Sequence, residues 1–146
     1  MPMSSDGSEK RRVLCLDVGS RRIGVALGDP LGYTAQPLTV VFRGPDDASQ
    51  IRDLVSEHDV ATVVVGLPLA LSGQVGPAVK RTRKFIDTLL PLLAGVELVE
   101  WDERMTTTAA ERALIEGGVR RAQRKNLIDA VAASLILQSY LGSLQR

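Results

Sequence analysis

The chain has 146 residues, of which 45% are hydrophobic and 24% charged, and its formal net charge is +1. These values are typical of one globular domain with its own core, and they exclude a disordered or fibrous chain. A single cysteine, Cys15, excludes an internal disulfide, and with only His58 beside it a Cys/His zinc site is implausible. The N-terminus shows no signal-peptide pattern, and no apolar stretch approaches the ~20 residues of a membrane span. We therefore expect a cytoplasmic protein that does not bind membranes, with a flexible tail over residues 1–10 and one domain over residues 11–146.

The first half of the chain predicts strands followed by a helix. Strands are predicted over residues 13–18, 23–28 and 37–42, with a turn at residues 19–22 that makes the first two antiparallel. Residues 46–58 have the apolar spacing of a helix. Residues 61–65 form the clearest buried strand, which Gly66-Leu67-Pro68 is expected to end.

The second half alternates helix and strand. After a loop over residues 70–76, a helix is predicted from Pro77 to about Leu90, then a short strand over residues 96–101. Residues 108–111 have the capping-box pattern of a helix that Gly117-Gly118 closes, and a last helix runs from about Lys125 to Leu141. An antiparallel meander followed by βαβ crossovers predicts an α/β fold: a mixed central sheet with helices on both faces.

Three acidic segments stand in unfavourable places: Asp17, the pair Asp102-Glu103, and Asp129. A carboxylate in apolar surroundings costs several kcal/mol unless a partner or a metal offsets it. Strand alternation places Asp17 on the face of Val13 and Cys15, near a strand end where ligands gather in such sheets. The alternative for Asp17 is an Asx turn with the amides of the following turn.

The other two acids also have structural alternatives. Asp102 and Glu103 precede a predicted helix, whose dipole favours acidic residues, and only one of them is expected to face a pocket. Asp129 lies in a helix segment that is apolar nearly all round, which predicts that it is well buried. An ion pair with Lys125, four residues earlier, contributes only ~0.3–0.5 kcal/mol, which is little against that burial.

Taken together, the acids form an all-oxygen ligand set, which suits Mg²⁺ or Mn²⁺. Carboxylate-held Mg²⁺ is a standard apparatus for phosphoryl transfer. The chain also carries local basic clusters, including Arg21-Arg22, the helix residues Lys80, Arg83 and Lys84, and residues 120–125 with Arg121, Arg124 and Lys125. Each alone is better explained as a solvated surface, but beside such a site they predict contacts to nucleic-acid phosphates. Few aromatic residues argue against base stacking.

At these residues the chain resembles the YqgF/RuvX family of the ribonuclease H-like fold, related to the RuvC junction resolvases. The resemblance rests on residues 17–26, Val65-Gly66-Leu67-Pro68, residues 102–107 and residues 128–133. It implies a five-stranded mixed sheet, three strands antiparallel and two parallel, and a metal-dependent nuclease with its catalytic and metal-binding triad on Asp17, Glu103 and Asp129. It also implies that Arg104 and Thr106 orient the loop or the scissile phosphate. Three acids stand where junction resolvases use four.

The leading hypothesis is a Mg²⁺- or Mn²⁺-dependent nuclease for structured RNA, acting on the 5′ end of pre-16S rRNA. A second is a resolvase of four-way DNA junctions, which requires a dimer, and a third is a non-catalytic RNA-binding assembly factor. An actin- or sugar-kinase-like ATPase is excluded, because 146 residues are too few for two closing domains. The choice between RNA and DNA, between Asp102 and Glu103, and between monomer and homodimer stays open at this stage.

Overall fold

The computed structural model describes residues 12–70, 72–105 and 128–144. Within these ranges the strands are β1 (Arg12–Val18), β2 (Arg22–Gly28), β3 (Ala35–Phe42), β4 (Val60–Leu67) and β5 (Glu97–Asp102). The helices are α1 (Asp47–Glu57), α2 (Pro77–Leu89) and α3 (Ile128–Leu144). Short 3-10 turns cover Leu90–Leu92 and Glu103–Met105.

The five strands form one mixed sheet in the order β3-β2-β1-β4-β5. β1 pairs antiparallel with β2, and β2 antiparallel with β3. β1 pairs parallel with β4, and β4 parallel with β5. Because the helix α1 joins β3 to β4 and α2 joins β4 to β5, the chain has the crossovers that parallel pairing requires. The predicted sheet is confirmed, with β1 at its centre.

Two hydrophobic layers cover the two faces of this sheet. On one face Leu14 and Leu16 of β1 belong to a core cluster with residues of α1 and α2. On the other face Val13 and Cys15 pack in a cluster with Ala133 and other residues of α3. Strand alternation therefore places Asp17 on the α3 face, as the sequence predicts.

Several element boundaries differ from the predictions by one to three residues: β3, for example, begins at Ala35 and not at residue 37, and β5 is shifted by one residue to Glu97–Asp102. β4 does not end at Gly66 but continues to Leu67, because both residues still pair with β5, opposite Trp101 and Asp102. The strand ends only before Pro68, which has no N–H for the ladder. α3 continues past Leu141 to Leu144.

Some predictions fall on residues outside the described ranges. These are the tail, the helix opened by residues 108–111, and the start of the last helix at Lys125. In the described part of the chain, no helix is long and apolar enough to cross a membrane.

Candidate active site

Asp17 lies near the carboxyl end of the central strand, opposite Gly24 of β2. The turn after β1 is closed by the Gly19 amide, which donates to the Arg22 carbonyl over 2.8 Å. Among the described residues, no hydrogen bond joins the Asp17 carboxylate to the amides of Ser20 or Arg21. The Asx-turn alternative for Asp17 is therefore wrong, and its side chain is left facing α3.

The first turn of α3 crosses β2 directly over Gly24. A Cβ at position 24 would lie 1.9 Å from the backbone carbonyl oxygen of Asp129, far inside any real contact. Only glycine lets the helix start this close to the sheet. Because Gly24 pairs with Asp17, this crossing brings Asp129 next to Asp17.

The Asp129 carboxylate pairs with Arg22 of β2, with 2.9 Å between Oδ2 and the guanidinium Nε. Its side chain is 35% exposed, and the neighbouring Ile128 is 40% exposed. The prediction of a well-buried Asp129 is therefore wrong. The apolar run does bury Ala130 and Ala133, but Asp129 sits in the first described turn of the helix, at the rim of the core. The alternative pair with Lys125 lies outside the described residues.

Asp102 and Glu103 diverge at the end of β5. The Asp102 carboxylate accepts hydrogen bonds from the backbone amide of Arg104 (2.9 Å) and from its guanidinium, whose Nη2 lies 2.6 Å from Oδ2. The Arg104 hydrogen bonds hold the pKa of Asp102 below its usual value. Asp102 is thus engaged in its own loop, whereas Glu103 turns back over the sheet.

Gly66 of β4 provides the space that Glu103 occupies. A Cβ at position 66 would lie 2.9 Å from Oε2 of Glu103 and 3.0 Å from its Cγ. Leu16 of β1 is paired with Val65 of β4, and the next residues along these strands are Asp17 and Gly66, respectively. Glu103 therefore approaches Asp17 from the β4 side, while Asp129 approaches from the β2 side.

The charges of these acids act on one another. Burial first, and then the charge of Asp129, raises the pKa of Asp17 to about 6. Burial, followed by the charges of Asp17 and Asp102, raises the pKa of Glu103 to about 7. Burial, followed by the charges of Asp17 and Glu103, raises the pKa of the Cys15 thiol, which keeps it protonated and unreactive. Asp17 stands between two other acids, and this crowding of like charge is what a cation would relieve.

The three acids Asp17, Glu103 and Asp129 fit a divalent cation in atom type and charge. Within the described ranges, however, no three acidic, histidine or cysteine side chains form a ready-made metal cluster. Asp129 turns to Arg22 instead, so that a guanidinium supplies part of the positive charge at this site. The three acids therefore suit a divalent cation, but in this structure the Asp129 carboxylate is paired with Arg22.

The predicted phosphate contacts are placed in different surroundings. Arg21 is exposed in the turn, Arg22 pairs with Asp129, and Arg104 pairs with Asp102. Lys80, Arg83 and Lys84 are all exposed on α2, where Arg83 pairs with Glu100 of β5 over 3.3 Å and Lys84 lines a pocket beside α1. The predicted residues outside the described ranges are Thr106, Arg121, Arg124 and Lys125.

Sequence reasoning missed the two glycines that open space for the acids, and it missed Arg43. The Arg43 guanidinium donates to the Gly19 carbonyl (2.9 Å) and to the Asp47 carboxylate (2.9 Å), which fixes the β1–β2 turn to the start of α1. The glycines Gly24 and Gly66 do stand in the sequence, each within an otherwise apolar strand. A glycine in a strand often marks a close approach of another group, and that signal was available.

The match to a known family extends over almost the whole chain. A family model described as RuvX, Holliday junction resolvase, matches residues 11–143. The chain belongs to the RuvX family. A Clostridium botulinum relative (strain Hall) named "Putative pre-16S rRNA nuclease" is 42% identical over 137 residues, covering 92% of this chain and 99% of the relative. A Clostridium tetani relative of the same name is 46% identical over 134 residues, covering 90% of this chain and 96% of the relative.

Solved structures show the same fold at low identity. RuvC of Thermus thermophilus, solved in complex with a Holliday junction substrate, matches with a TM-score of 0.59 and 19% identity over 91% of this chain and 96% of that chain. The fowlpox virus Holliday junction resolvase matches with a TM-score of 0.54 and 14% identity, covering 91% and 99%. At these identities the likeness concerns the fold alone, and it confirms the predicted ribonuclease H-like architecture.

Proposed function

We propose that this RuvX chain is a Mg²⁺- or Mn²⁺-dependent nuclease that hydrolyses phosphodiester bonds in structured RNA, at the 5′ end of pre-16S rRNA in the cytoplasm. The observation that carries the proposal is the convergence of Asp129 and Glu103 on Asp17 from opposite sides of the central strand. The names of the clostridial relatives support the choice of substrate.

The chemistry follows from the placement of the acids. A bound divalent cation would supply Lewis acidity, activating water and stabilising the leaving oxygen. Asp17 would be the ligand held most firmly, since its strand is paired on both sides. Asp129 and Glu103 would complete the ligand set from either flank. Protons on Asp17 and Glu103 compete with the cation at pH values below about 6 to 7, so that activity should rise from acidic to neutral pH.

Arg22 has a part of its own in this proposal. Its guanidinium already reaches the edge of the site, 2.9 Å from Asp129. A guanidinium is suited to phosphate oxygens as well as to carboxylates. We therefore assign Arg22 to the scissile or an adjacent phosphate once the cation holds Asp129. Arg21, beside it in the turn, would extend this contact.

The decisive experiment compares amide variants of the acids on a 5′-extended 16S precursor. Asp17→Asn and Asp129→Asn should abolish cleavage in Mg²⁺ or Mn²⁺ while RNA affinity stays within a few-fold of the wild type. Asp53→Asn on α1 is the matched control, because that carboxylate is 70% exposed and, among the described residues, forms an ion pair with Arg52 alone. Cleavage retained by both active-site variants would contradict the proposal. A wild type that binds the precursor but cuts nothing in either metal would instead indicate an assembly factor without catalysis.

A second candidate, resolution of four-way DNA junctions, has its own support. The family model is described as a Holliday junction resolvase, and the fold matches RuvC. Resolution needs two symmetric cuts and hence two active sites, which one copy of this chain does not provide. Junction cleavage assayed beside the precursor, together with sedimentation at the assay concentration, separates the two candidates. A monomer that cuts the precursor and leaves junctions intact would exclude resolution.

A further inference from the structure

An open pocket lies on the sheet face opposite the acids, behind the β1–β2 turn. Its volume is about 690 Å³, and its lining includes Ser20 of the turn, Arg43 and Asp47 at the start of α1, and Arg81 and Lys84 of α2. None of the acids Asp17, Glu103 and Asp129 lines it. It is therefore a separate site at the same end of the molecule.

The charge of the pocket is positive because its two basic α2 residues are unmatched. Asp47 is engaged on all sides: it pairs with Arg43 and accepts hydrogen bonds from the amides of Gly44 and Ala48. In the described part of the chain, neither Arg81 nor Lys84 forms an ion pair with a carboxylate. Because the charges of Arg43 and Asp47 neutralise each other, the positive charges of Arg81 and Lys84 remain.

Arg81 lacks an acceptor where it most needs one. Its Nε atom is buried and has no hydrogen-bond partner in the described structure. A buried donor of a charged group is costly to leave unpaired. An oxyanion in the pocket would give the guanidinium the missing acceptor, in the two-point geometry that arginine offers to phosphate after a small rotation of its side chain.

The fold holds this arrangement in place. Arg43 is fixed by Asp47 and the Gly19 carbonyl, and its guanidinium stacks 5.2 Å from the ring centre of buried Phe85. Phe85 lies one helical turn after Arg81 and next to Lys84 in α2. The wall of the pocket is thus built before any ligand arrives, which lowers the entropy cost of binding.

The pocket is also close to the acids along the chain. Ser20 follows Asp17 by three residues, and three residues span at most about 10 Å. A nucleic-acid strand carries one phosphate per ~3.4 Å of axial rise. A strand with its scissile bond at Asp17 would therefore bring a phosphate to Ser20 within a few nucleotides.

We propose that this pocket, with Ser20, Arg81 and Lys84 as ligands, binds a backbone phosphate of the substrate strand a few nucleotides from the cleaved bond. The proposal rests on the proposed function for the identity of the strand, but it concerns binding and not cleavage. Passing over the β1–β2 turn, the strand would contact the α3 face and this pocket at once. Two anchors on either side of one turn would fix the register of the strand against the acids.

The test measures binding without metal, so that cleavage plays no part. The affinity of the full chain for a fluorescent RNA hairpin with a 5′ single-stranded extension is measured in chelator at several salt concentrations. Arg81→Gln and Lys84→Gln should each weaken binding several-fold and reduce the slope of log affinity against log salt by about 1. Arg52→Gln, an exposed and ion-paired residue of α1 away from this pocket, should leave the slope unchanged.

Each outcome decides the matter. The proposal is overturned if both variants unfold at the same temperature as the wild type and show an unchanged salt slope. Because Lys84 is exposed, its variant keeps the test valid even if Arg81→Gln unfolds. A parallel titration with inorganic phosphate asks whether the pocket serves a free phosphate compound. Phosphate binding that is lost in Arg81→Gln, with RNA affinity unchanged, also overturns the assignment to a strand. Because no cleavage is measured, a failed nuclease proposal leaves this result intact.

Discussion

Glu103 lies so close over Gly66 that a Cβ on position 66 would come within 2.9 Å of its carboxylate oxygen and 3.0 Å of Ile136. Gly66→Ala should therefore displace Glu103 while the fold survives, since both neighbours are side chains that can move. We expect cleavage to fall by about 10- to 100-fold, because small misplacements of reacting groups are costly. The free energy of unfolding should fall by no more than about 1–2 kcal/mol.

The control for this substitution is Gly142→Ala, in α3, where an added Cβ meets nothing within 4 Å. It should keep full activity and gain some helix stability. Wild-type cleavage by Gly66→Ala would show that the position of Glu103 is not important for the reaction.

Gly24→Ala should act through the backbone instead. The new Cβ would lie 1.9 Å from the Asp129 carbonyl oxygen, so the start of α3 must move away from β2. We expect a loss of more than about 2 kcal/mol in the free energy of unfolding, measured by urea titration with Gly142→Ala alongside. A loss below about 1 kcal/mol would mean that α3 does not pack as closely as the structure shows.

The adjacent acids Asp102 and Glu103 should respond differently to the same chemical change. Glu103→Gln removes a charge that faces Asp17, and we expect cleavage to fall at least ~100-fold. Asp102→Asn weakens the contact with Arg104 and removes a neighbouring charge from Glu103, and we expect a loss below ~10-fold. Initial rates at saturating metal give the comparison, and the reverse order of effects would place Asp102 in the site instead.

The pKa values predict an unusual dependence of stability on pH in chelator. The pKa of Asp17 is about 6 in the folded chain, above its ordinary value of 3.8, so the protonated form favours folding. The contribution of Asp17 is then favourable at low pH and is lost as the pH rises through about 6. Asp17→Asn should unfold like the wild type near pH 4 but be more stable by about 1–3 kcal/mol near pH 7.5.

Urea titrations of both proteins at several pH values check this prediction, since their difference cancels the titration of groups that do not interact with Asp17. A difference that does not change between pH 4 and pH 7.5 would show that Asp17 is not destabilised by its neighbours. Added Mn²⁺ should raise the stability of the wild type more than that of the variant.

The ion pair between Arg22 and Asp129 predicts competition with a cation. Arg22→Gln frees the Asp129 carboxylate, so Mn²⁺ should bind about two- to fivefold more tightly, in keeping with a pair that is partly exposed. Calorimetric titration in the absence of RNA measures the effect, and Arg21→Gln is the neighbouring control. Weaker Mn²⁺ binding in Arg22→Gln would mean that the arginine organises the ligands and does not compete for them.

Much of the fold was predictable because its signals are local. The alternation of Val13, Cys15 and Asp17 gave the correct face of β1, and the apolar runs gave the strands of the sheet. The end of β4 was not predictable in the same way. The local sequence at Gly66 predicts the end of a strand, but the pairing of Gly66 with Trp101 on β5 outweighs that preference.

The site was predictable in its acids but not in their partners. The exposure of Asp129 depends on where α3 meets β2, and its pairing with Arg22 joins residues 107 positions apart. Arg83 and Lys84 are adjacent in sequence, yet Arg83 pairs with Glu100 of β5 whereas Lys84 lines the pocket beside α1. The importance of Arg81 follows from its buried Nε atom, which lacks a hydrogen-bond acceptor in the described structure, and no sequence pattern predicts this.

The order of the strands gives the acids different mechanical surroundings. Asp17 belongs to a strand that is hydrogen-bonded to a neighbour on each side, whereas Glu103 follows β5, which in the described sheet is an edge strand with a neighbour on one side only. Amide exchange at β1 should therefore require opening of the whole sheet, while β5 can open by itself. When a cation or a substrate binds, Glu103 would then be the residue that moves, while Asp17 stays in place and fixes the position of the site.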